Sequence, residues 1–372
     1  MEKIRLFVFI ILSLLILSSC SSINSDGEKK EFNQIWSYKY DGEPVGLSLA
    51  SLGATIINNQ HVIISPDRRI TSLNFKTGEV NWQQQVPQQV AINNDQFLYD
   101  ENFLYVKLDQ TNQIVSYDIS SGEISWNKKG ETGDFFDYVN DGLSENRLYL
   151  AGDDSVIYQY SKTGEYLGEF KLQHYARSIL YNNGTLYVSQ AWRPEGSEHA
   201  AGRIVAYDSE TFAKKWEYET DKGGFYYAPM IYQNGRIYAG TTSGPSVFVT
   251  LDATTGDIIW EREDQVAYEY IVKNDTVYVN ESLGLVALDT TNGQELWSYQ
   301  FTGDGQDNIA YLDGYLYHSH GSALFILDAT TGEIIHKEPI APDGTPFGNV
   351  AAANGRIFAQ SDYHLYAYEA WK

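Results

Sequence analysis

Short apolar runs alternate with short polar segments along residues 33–371, and one such unit recurs throughout. Its clearest copy, LDATTGDIIW at residues 251–260, returns as LDTTNGQELW at residues 288–297. Three of the seven copies combine Leu or Tyr, an Asp, a glycine and a tryptophan, and the other four lack one or two of these residues. The copies begin near residues 74, 117, 160, 207, 251, 288 and 327. A repeat of about 40 residues made of strands predicts a β-propeller.

A shorter signature precedes each unit, as in NGTLYV at residues 183–188. Asn-Gly supplies a tight hairpin turn with positive φ, and the apolar run after it is a buried strand. The next strand ends at the Asp of the D-x-T-T-G loop, where Asp accepts backbone hydrogen bonds and Gly takes the left-handed conformation. With the segment ahead of the turn and the strand after the loop, each unit supplies four strands, or one blade. Apolar runs of this type begin near residues 61, 103, 147, 185, 236, 276, 315 and 356.

The two ends of the repeat array complement each other. The last copy, through residues 365–368, stops before the strand that would carry its tryptophan, and residues 33–38, NQIWSY, look like that missing strand. We therefore predict an all-β fold, an eight-bladed β-propeller with four-stranded antiparallel blades, closed by the N-terminal strand completing the C-terminal blade. Seven blades fit the repeats less well. The tryptophans expected to fill the space between neighbouring blades are Trp36, Trp82, Trp126, Trp216, Trp260 and Trp297.

The first twenty residues have the pattern of an export signal. Lys3 and Arg5 precede an apolar stretch at residues 6–16, which is too short to span a membrane and suits a signal peptide. The segment that follows, LSSC, ends at Cys20 and resembles the bacterial lipobox, in which the cysteine is diacylated and becomes the new N-terminus. An ordinary secretory signal with a chance cysteine is the alternative.

This pattern predicts a lipoprotein signal peptide at residues 1–19, a lipidated Cys20 with a flexible tether at residues 20–32, and the propeller at residues 33–372. The mature protein is then exported and lipid-anchored to a bacterial membrane. It would lie on the cell surface, or on the periplasmic face in a Gram-negative cell.

Composition narrows the classes of function. The 372-residue chain has 49 Asp plus Glu against 26 Lys plus Arg, a net charge of −23. This balance argues against nucleic-acid binding, which needs clustered cations. The single cysteine allows no intrachain disulfide and no Cys-rich zinc site, and the anchor would consume it.

The repeat resembles the tryptophan-docking repeat of the PQQ-like eight-bladed propellers over about residues 33–371. One branch of that family, the quinoprotein alcohol dehydrogenases, carries PQQ and calcium, and many members use two adjacent cysteines. Its other branch contains non-enzymatic lipoproteins similar to BamB, which act in outer-membrane β-barrel assembly. This chain has one cysteine and no matching calcium motif, so the enzyme branch fits it poorly. The sequence also contains no catalytic constellation, and we therefore expect no PQQ, no metal and no catalysis.

Unusual polar and aromatic residues precede the first strand of several blades, and the repeat alignment places them around one mouth of the central channel. Such residues suit a protein segment, a peptide or a sugar; the alternative is that they pack each blade's entry. The longest insertion, at residues 189–202, adds two further candidate contacts, and a variable loop without a partner is the alternative there. The candidate binding face comprises Asp137, Tyr138, Tyr175, Arg177, Tyr226, Tyr227, Tyr268, Glu269, Asp307, Asn308, Phe347, Trp192 and Arg193.

Metal and glycan chemistry have weaker signals. His318 and His320 alternate along a strand and share a face, but no third ligand is evident. Residues 303–308 are rich in oxygen ligands but lack the spacing of a calcium loop. We expect a membrane-anchored, non-catalytic propeller that binds or scaffolds another envelope protein, without cofactor. The alternatives are a BamB-like assembly subunit and a glycan-binding or glycan-active protein using the channel mouth.

Overall fold

The computed structural model describes residues 32–41, 53–66, 69–86, 97–108, 111–130, 135, 141–226, 229–263, 267, 269–281, 284–301 and 308–372. The predicted signal peptide, Cys20 and all of the tether except Phe32 lie outside these residues. Within them, the repeated elements are β-strands, and no helix is long and apolar enough to cross a membrane.

The described strands form eight antiparallel sheets of four strands each, which are the blades. The first strands of the blades are β2 (Thr55–Ile57), β6 (Phe97–Tyr99), β10 (Gly142–Leu143), β14 (Ala176–Asn182), β18 (Ile231–Gln233), β22 (Glu269–Lys273), β26 (Asn308–Leu312) and β30 (Phe347–Ala353). The second strands are β3 (His61–Ile64), β7 (Phe103–Leu108), β11 (Arg147–Ala151), β15 (Thr185–Trp192), β19 (Arg236–Gly240), β23 (Thr276–Glu281), β27 (Tyr315–His320) and β31 (Arg356–Ser361).

The third strands are β4 (Arg69–Asn74), β8 (Gln113–Asp118), β12 (Val156–Ser161), β16 (Ala201–Asp208), β20 (Val247–Asp252), β24 (Gly284–Asp289), β28 (Ala323–Asp328) and β32 (His364–Glu369). The fourth strands are β5 (Val80–Gln85), β9 (Ile124–Lys129), β13 (Tyr166–Lys171), β17 (Lys214–Thr220), β21 (Ile258–Glu263), β25 (Glu295–Gln300), β29 (Ile334–Glu338) and β1 (Gln34–Lys39). Blades 1 to 8 are numbered in chain order, so blade 1 holds β2 to β5 and blade 8 holds β30 to β32 with β1.

Position within the blade decides which strands surround the centre. First strands of neighbouring blades contact each other, so they form the innermost layer, whereas the fourth strands expose much of their surface. Because the strands of a blade alternate in direction, the starts of the first strands and the turns after the second strands share one end. We call this end the entry face. The D-x-T-T-G loops lie at the opposite end, the turn face.

Blade 8 shows the predicted closure. Strand β1 pairs antiparallel with β32, with Ser37 opposite Tyr366, so the first strand of the described chain is the fourth strand of the last blade. Phe32 stacks on Tyr368 with ring centroids 4.2 Å apart. The eight blades and the closure predicted from the repeats are therefore confirmed.

The D-x-T-T-G loop has the geometry its residues predict. In blade 5, the Asp252 carboxylate accepts hydrogen bonds from the backbone N–H groups of Thr254 and Thr255 at 2.8 and 3.0 Å. The Thr255 and Thr254 bonds lower the pKa of Asp252. Gly256 has a φ of 78°, in the left-handed region that favours glycine.

Each predicted docking tryptophan uses such a glycine in the next blade. The Trp260 ring nitrogen donates to the carbonyl of Thr290 at 2.9 Å, and a Cβ on Gly293 would lie 2.6 Å from the ring. Hence only glycine leaves room for the ring. The remaining pairs are Trp36 with Gly78, Trp82 with Gly122, Trp126 with Gly164, Trp216 with Gly256, and Trp297 with Gly332.

Replacing Gly256 with alanine is expected to destabilise the protein more than the same change at Gly235. Gly256 and Gly235 have φ values of 78° and 75°, so an alanine at either position costs about 1–2 kcal/mol because it must adopt the left-handed conformation. A Cβ at Gly256 would also meet Trp216 at 2.6 Å, whereas none of the described atoms lies within 4 Å of one at Gly235. The clash adds about 1–3 kcal/mol. Urea denaturation of the two variants checks this, and equal losses would contradict the docking role.

Blade 7 departs from the pattern, because His336 stands where six of the eight blades have tryptophan; blade 3 also lacks the tryptophan. Trp371, just after β32, stacks on His336 with ring centroids 4.9 Å apart. Its backbone N–H also donates to the Tyr317 hydroxyl at 2.8 Å. A tryptophan from beyond the last strand thus covers the histidine between blades 7 and 8, a role the repeat pattern did not predict.

Candidate binding face

Arg177 and Tyr226 meet at the entry face across blades 4 and 5. Arg177 is the second residue of β14, and its guanidinium carbon lies 4.7 Å from the centroid of the Tyr226 ring. Nearby, the Ser178 hydroxyl accepts from the backbone N–H of Met230 at 3.2 Å. These contacts join the first strand of blade 4 to the segment before the first strand of blade 5, and they place a cation and an aromatic ring together at the entry face.

Glu269 and Asn308 open the first strands of blades 6 and 7. The Asn308 side-chain amide donates to Glu269 Oε1 at 2.7 Å, and the N–H of Ile309 donates to Oε2 at 3.3 Å. Asn308 Oδ1 in turn accepts from the N–H of Val350 in blade 8 at 2.7 Å. One chain of hydrogen bonds therefore links three blades at the entry face.

The other candidates divide between exposed, buried and undescribed positions. Tyr175 precedes β14 and is 42% exposed, while Phe347 begins β30 and is buried. Five candidates lie outside the described residues: Asp137, Tyr138, Tyr227, Tyr268 and Asp307. The structure thus brings two pairs, Arg177 with Tyr226 and Glu269 with Asn308, into contact at the entry face.

The insertion of blade 4 lies at the entry face because it follows a second strand. Trp192 ends β15, and its ring stacks on His174 at 4.2 Å with an interplanar angle of 5°. Arg203 approaches the same indole ring at 5.6 Å, and Arg193 is exposed. Burial, and then the charge of Arg203, lowers the pKa of His174. Trp192 is therefore fixed in place at the base of an exposed loop.

A cleft of about 550 Å³ opens beside Trp192 between blades 4 and 5. Blade 4 contributes Trp192, Pro194, Glu219 and Asp221, and blade 5 contributes Ile258, among other residues. We call it the blade 4–5 cleft. The sequence predicted Trp192 as a binding residue, but not Glu219 and Ile258. Those two lie on fourth strands, where the repeat pattern indicates only structural residues.

The comparisons with known proteins place this fold in a family. A family model described as outer membrane protein assembly factor BamB matches residues 113–261 and 153–370, which together span more than half of the chain. The chain belongs to this BamB family. None of the curated proteins compared matches the sequence significantly.

Solved structures share the fold at low sequence identity. BamB from Moraxella catarrhalis is 16% identical with a TM-score of 0.67, covering 92% of this chain and 98% of that one. The computationally designed Ika8 protein is 13% identical with a TM-score of 0.67, covering 88% and 100%. Quinohemoprotein alcohol dehydrogenase from Comamonas testosteroni is 14% identical with a TM-score of 0.65, covering 91% and 76%. At these identities the likeness concerns the fold alone.

In this BamB-family chain the two strand histidines are packed in the core. His318 and His320 are buried in β27, and the Phe301 ring lies 4.7 and 4.8 Å from them. Burial, and then the charge of His320, lowers the pKa of His318 to about 3, so its ring is neutral at physiological pH. Within the described part of the chain no three His, Cys, Asp or Glu side chains cluster as metal ligands do. The oxygen-rich segment 303–308 is described only at Asn308.

A Ser, a His and an Asp also converge in this propeller, in blade 8, but in a structural arrangement. The Ser361 hydroxyl donates to Asp343 Oδ2 at 2.6 Å, and His364 Nδ1 bonds the same oxygen at 2.9 Å. Burial acts to raise the pKa of Asp343, but hydrogen bonds from Ser361, His364 and Thr345 outweigh it and lower the pKa to about 2. The hydroxyl faces the carboxylate rather than the imidazole, so it lacks the base that activates a serine nucleophile.

Proposed function

We propose that this protein is a lipid-anchored, non-catalytic propeller that binds another protein of the cell envelope through its entry face. The observation that carries the proposal is the match to the outer-membrane protein assembly factor family over more than half of the chain. In a cell with an outer membrane, its role would be in outer-membrane protein assembly. The lipobox-like segment ending at Cys20 supports the anchor.

The geometry of the entry face supports a binding role. Arg177, Tyr226 and Asn308 are at least partly accessible there, and they offer charge, an aromatic ring and amide groups close to the channel mouth. Glu269 is committed to Asn308 and Ile309, which favours a positioning role for this carboxylate over acid–base chemistry. A rigid ring of inner strands presents these groups with little ordering cost on binding.

Replacing Cys20 with serine is expected to abolish labelling of the protein by radioactive palmitate, because the cysteine sulfur is the atom to which the lipid would be attached. Ser22→Ala, a small change two residues away, is the matched control and should be labelled like the wild type. Immunoprecipitation after labelling measures the incorporation. Equal labelling of the serine variant would refute the anchor.

The partner is tested by placing a photo-crosslinking amino acid at Tyr175, which is exposed at the entry face, and at Thr254, which is exposed at the turn face. We expect one discrete crosslinked envelope protein from position 175 and none from position 254. Arg177→Glu should weaken that crosslink and lower the amount of folded outer-membrane β-barrel proteins in a cell that has them. Crosslinks of equal yield from both faces would contradict an entry-face partner.

The proposal that the protein is non-catalytic and binds no cofactor is tested by a separate measurement. A ligand that binds the folded state raises its melting temperature. Because we propose that the protein binds neither PQQ with calcium nor oligosaccharides, we expect its melting temperature to stay unchanged when they are added. A rise that saturates with ligand concentration would overturn this part and leave the anchor and the partner standing.

A further inference from the structure

The blade 4–5 cleft combines a volume typical of ligand sites, about 300–1,000 Å³, with ordered walls. Its volume is about 550 Å³. Trp192 is held by its stack on His174, so this wall is fixed before any ligand arrives. Lys222 closes the side towards blade 5 by bonding Glu261 at 3.3 Å and Glu263 at 2.6 Å.

The cleft has an apolar side and an acidic side. Trp192 and Pro194 line it from the insertion, and Ile258, which is 50% exposed, lines it from blade 5. Glu219 and Asp221, both exposed, line it from the end of blade 4. A ligand filling this space would meet hydrocarbon and carboxylate together.

The two acidic side chains of blade 4 are not held in ion pairs. Within the described residues, neither Glu219 nor Asp221 forms an ion pair with a lysine or arginine, and the nearby ammonium of Lys222 is engaged by two other carboxylates. Those carboxylates, Glu263 first, raise the pKa of Lys222, so it remains a charged and satisfied group. Arg203 lies opposite Glu219 in the pairing of β16 with β17 and beside Trp192, but its guanidinium donates to the side chains of Gln173 and Gln190. Around the cleft, the carboxylates of Glu219, Asp221, Glu261 and Glu263 outnumber the cations of Lys222 and Arg203 by four to two, so its net charge is negative.

We propose that the blade 4–5 cleft binds arginine side chains carried by an extended segment of a partner protein. An arginine has an apolar stem that can lie on Ile258 and Pro194 and a planar cation that can reach Glu219 and Asp221. A guanidinium pairs with carboxylates through two parallel hydrogen bonds, which a neutral sugar cannot do. This binding needs neither the lipid anchor nor a partner on the inner strands of the entry face.

The test uses isothermal titration of the full-length protein in detergent with the peptide acetyl-Ala-Arg-Ala-Arg-Ala-amide. The same peptide with citrulline in place of arginine is the matched ligand, because citrulline keeps the shape and loses the charge. We expect the arginine peptide to bind at least about tenfold more tightly. The double variant E219Q/D221N should lower its affinity by about tenfold, a change of about 1.4 kcal/mol.

The control variant separates the cleft from the general acidity of the protein. E123Q/E333Q removes the same two charges from exposed turn-face positions in blades 2 and 7, and should leave the affinity within about twofold. Equal losses in the two double variants would overturn the proposal, as would equal binding of the citrulline peptide or an absence of binding. Displacement of the arginine peptide by a neutral oligosaccharide would also overturn it in favour of a sugar site.

Discussion

Replacing Trp36 with alanine is expected to lower the free energy of unfolding by about 3–5 kcal/mol. Trp36 lies on the closing strand β1, is 8% exposed, and packs against Phe358 in its own blade with ring centroids 5.8 Å apart. Its ring nitrogen donates to the carbonyl of Phe75 in blade 1 at 3.3 Å, and its ring covers Gly78. The substitution therefore removes contacts on both sides of the seam where the ring closes.

Ile35→Ala is the matched control for this substitution. Ile35 is the neighbouring residue on β1 but is 38% exposed, so its loss should cost about 1 kcal/mol or less. Chemical denaturation followed by tryptophan fluorescence and by circular dichroism gives both values. Similar midpoints for the two variants would show that the seam does not depend on Trp36.

Replacing Lys107 with methionine is expected to cost about 3–5 kcal/mol, because it leaves a buried carboxylate without its cation. The Lys107 ammonium lies 2.7 Å from Asp141 Oδ2, and the two side chains are 1% and 2% exposed. The pair joins the second strand of blade 2 to the entry of blade 3. The backbone N–H of Ala151 also donates to Asp141 Oδ1 at 2.8 Å.

The pH dependence of this loss identifies its cause. Burial raises the pKa of Asp141 even though the charge of Lys107 lowers it, and removing Lys107 raises the pKa further. A carboxyl group whose pKa is raised in the folded state makes its full contribution to the free energy of unfolding at pH values below its unfolded-state pKa. That contribution is lost as the pH rises through its folded-state pKa. The difference in the free energy of unfolding between K107M and the wild type should therefore become smaller as the pH falls.

A second substitution checks the same interaction without changing pH. In K107M/D141N the amide is neutral and still accepts from Ala151, so the double variant should recover most of the stability that K107M loses. Thermal unfolding between pH 4 and 8 compares the three proteins. This range lies above the pKa of a free aspartic acid, about 3.9, so the side chain is ionised in the unfolded chain throughout most of it. A loss in K107M that is the same at every pH would contradict an uncompensated carboxylate.

The fold was predictable because its signals are local and repeated. Asp252, Gly256 and Trp260 each act within a loop, a turn or the neighbouring blade, and the same residue types recur at the same places around the ring. The orphan strand at Trp36 then determined the closure. A residue that occurs at a position by chance in one repeat is not found there in the others. Eight patterns that are each weak therefore predict one architecture when they are taken together.

The candidate binding face was less predictable because its contacts join residues without a shared motif. The repeat alignment placed Glu269 and Asn308 at equivalent strand starts, but the hydrogen bond between them depends on the spacing of two blades. Lys107 and Asp141 carry no sequence signal of pairing. Trp371 lies after the last repeat, so no equivalent position marked its contact with His336.

The pairing of β1 with β32 also has a consequence for the order of folding. Ser37 pairs with Tyr366, so the two strands of the seam are separated by almost the whole chain. Blades of sequential strands form from local contacts, whereas this pair requires one very long loop to close, which is slow. An emerging chain therefore carries β1 without its partner strand until β32 has been synthesised. The seam that completes the ring should be the last contact made, and until then β32 remains an open edge that another chain could occupy.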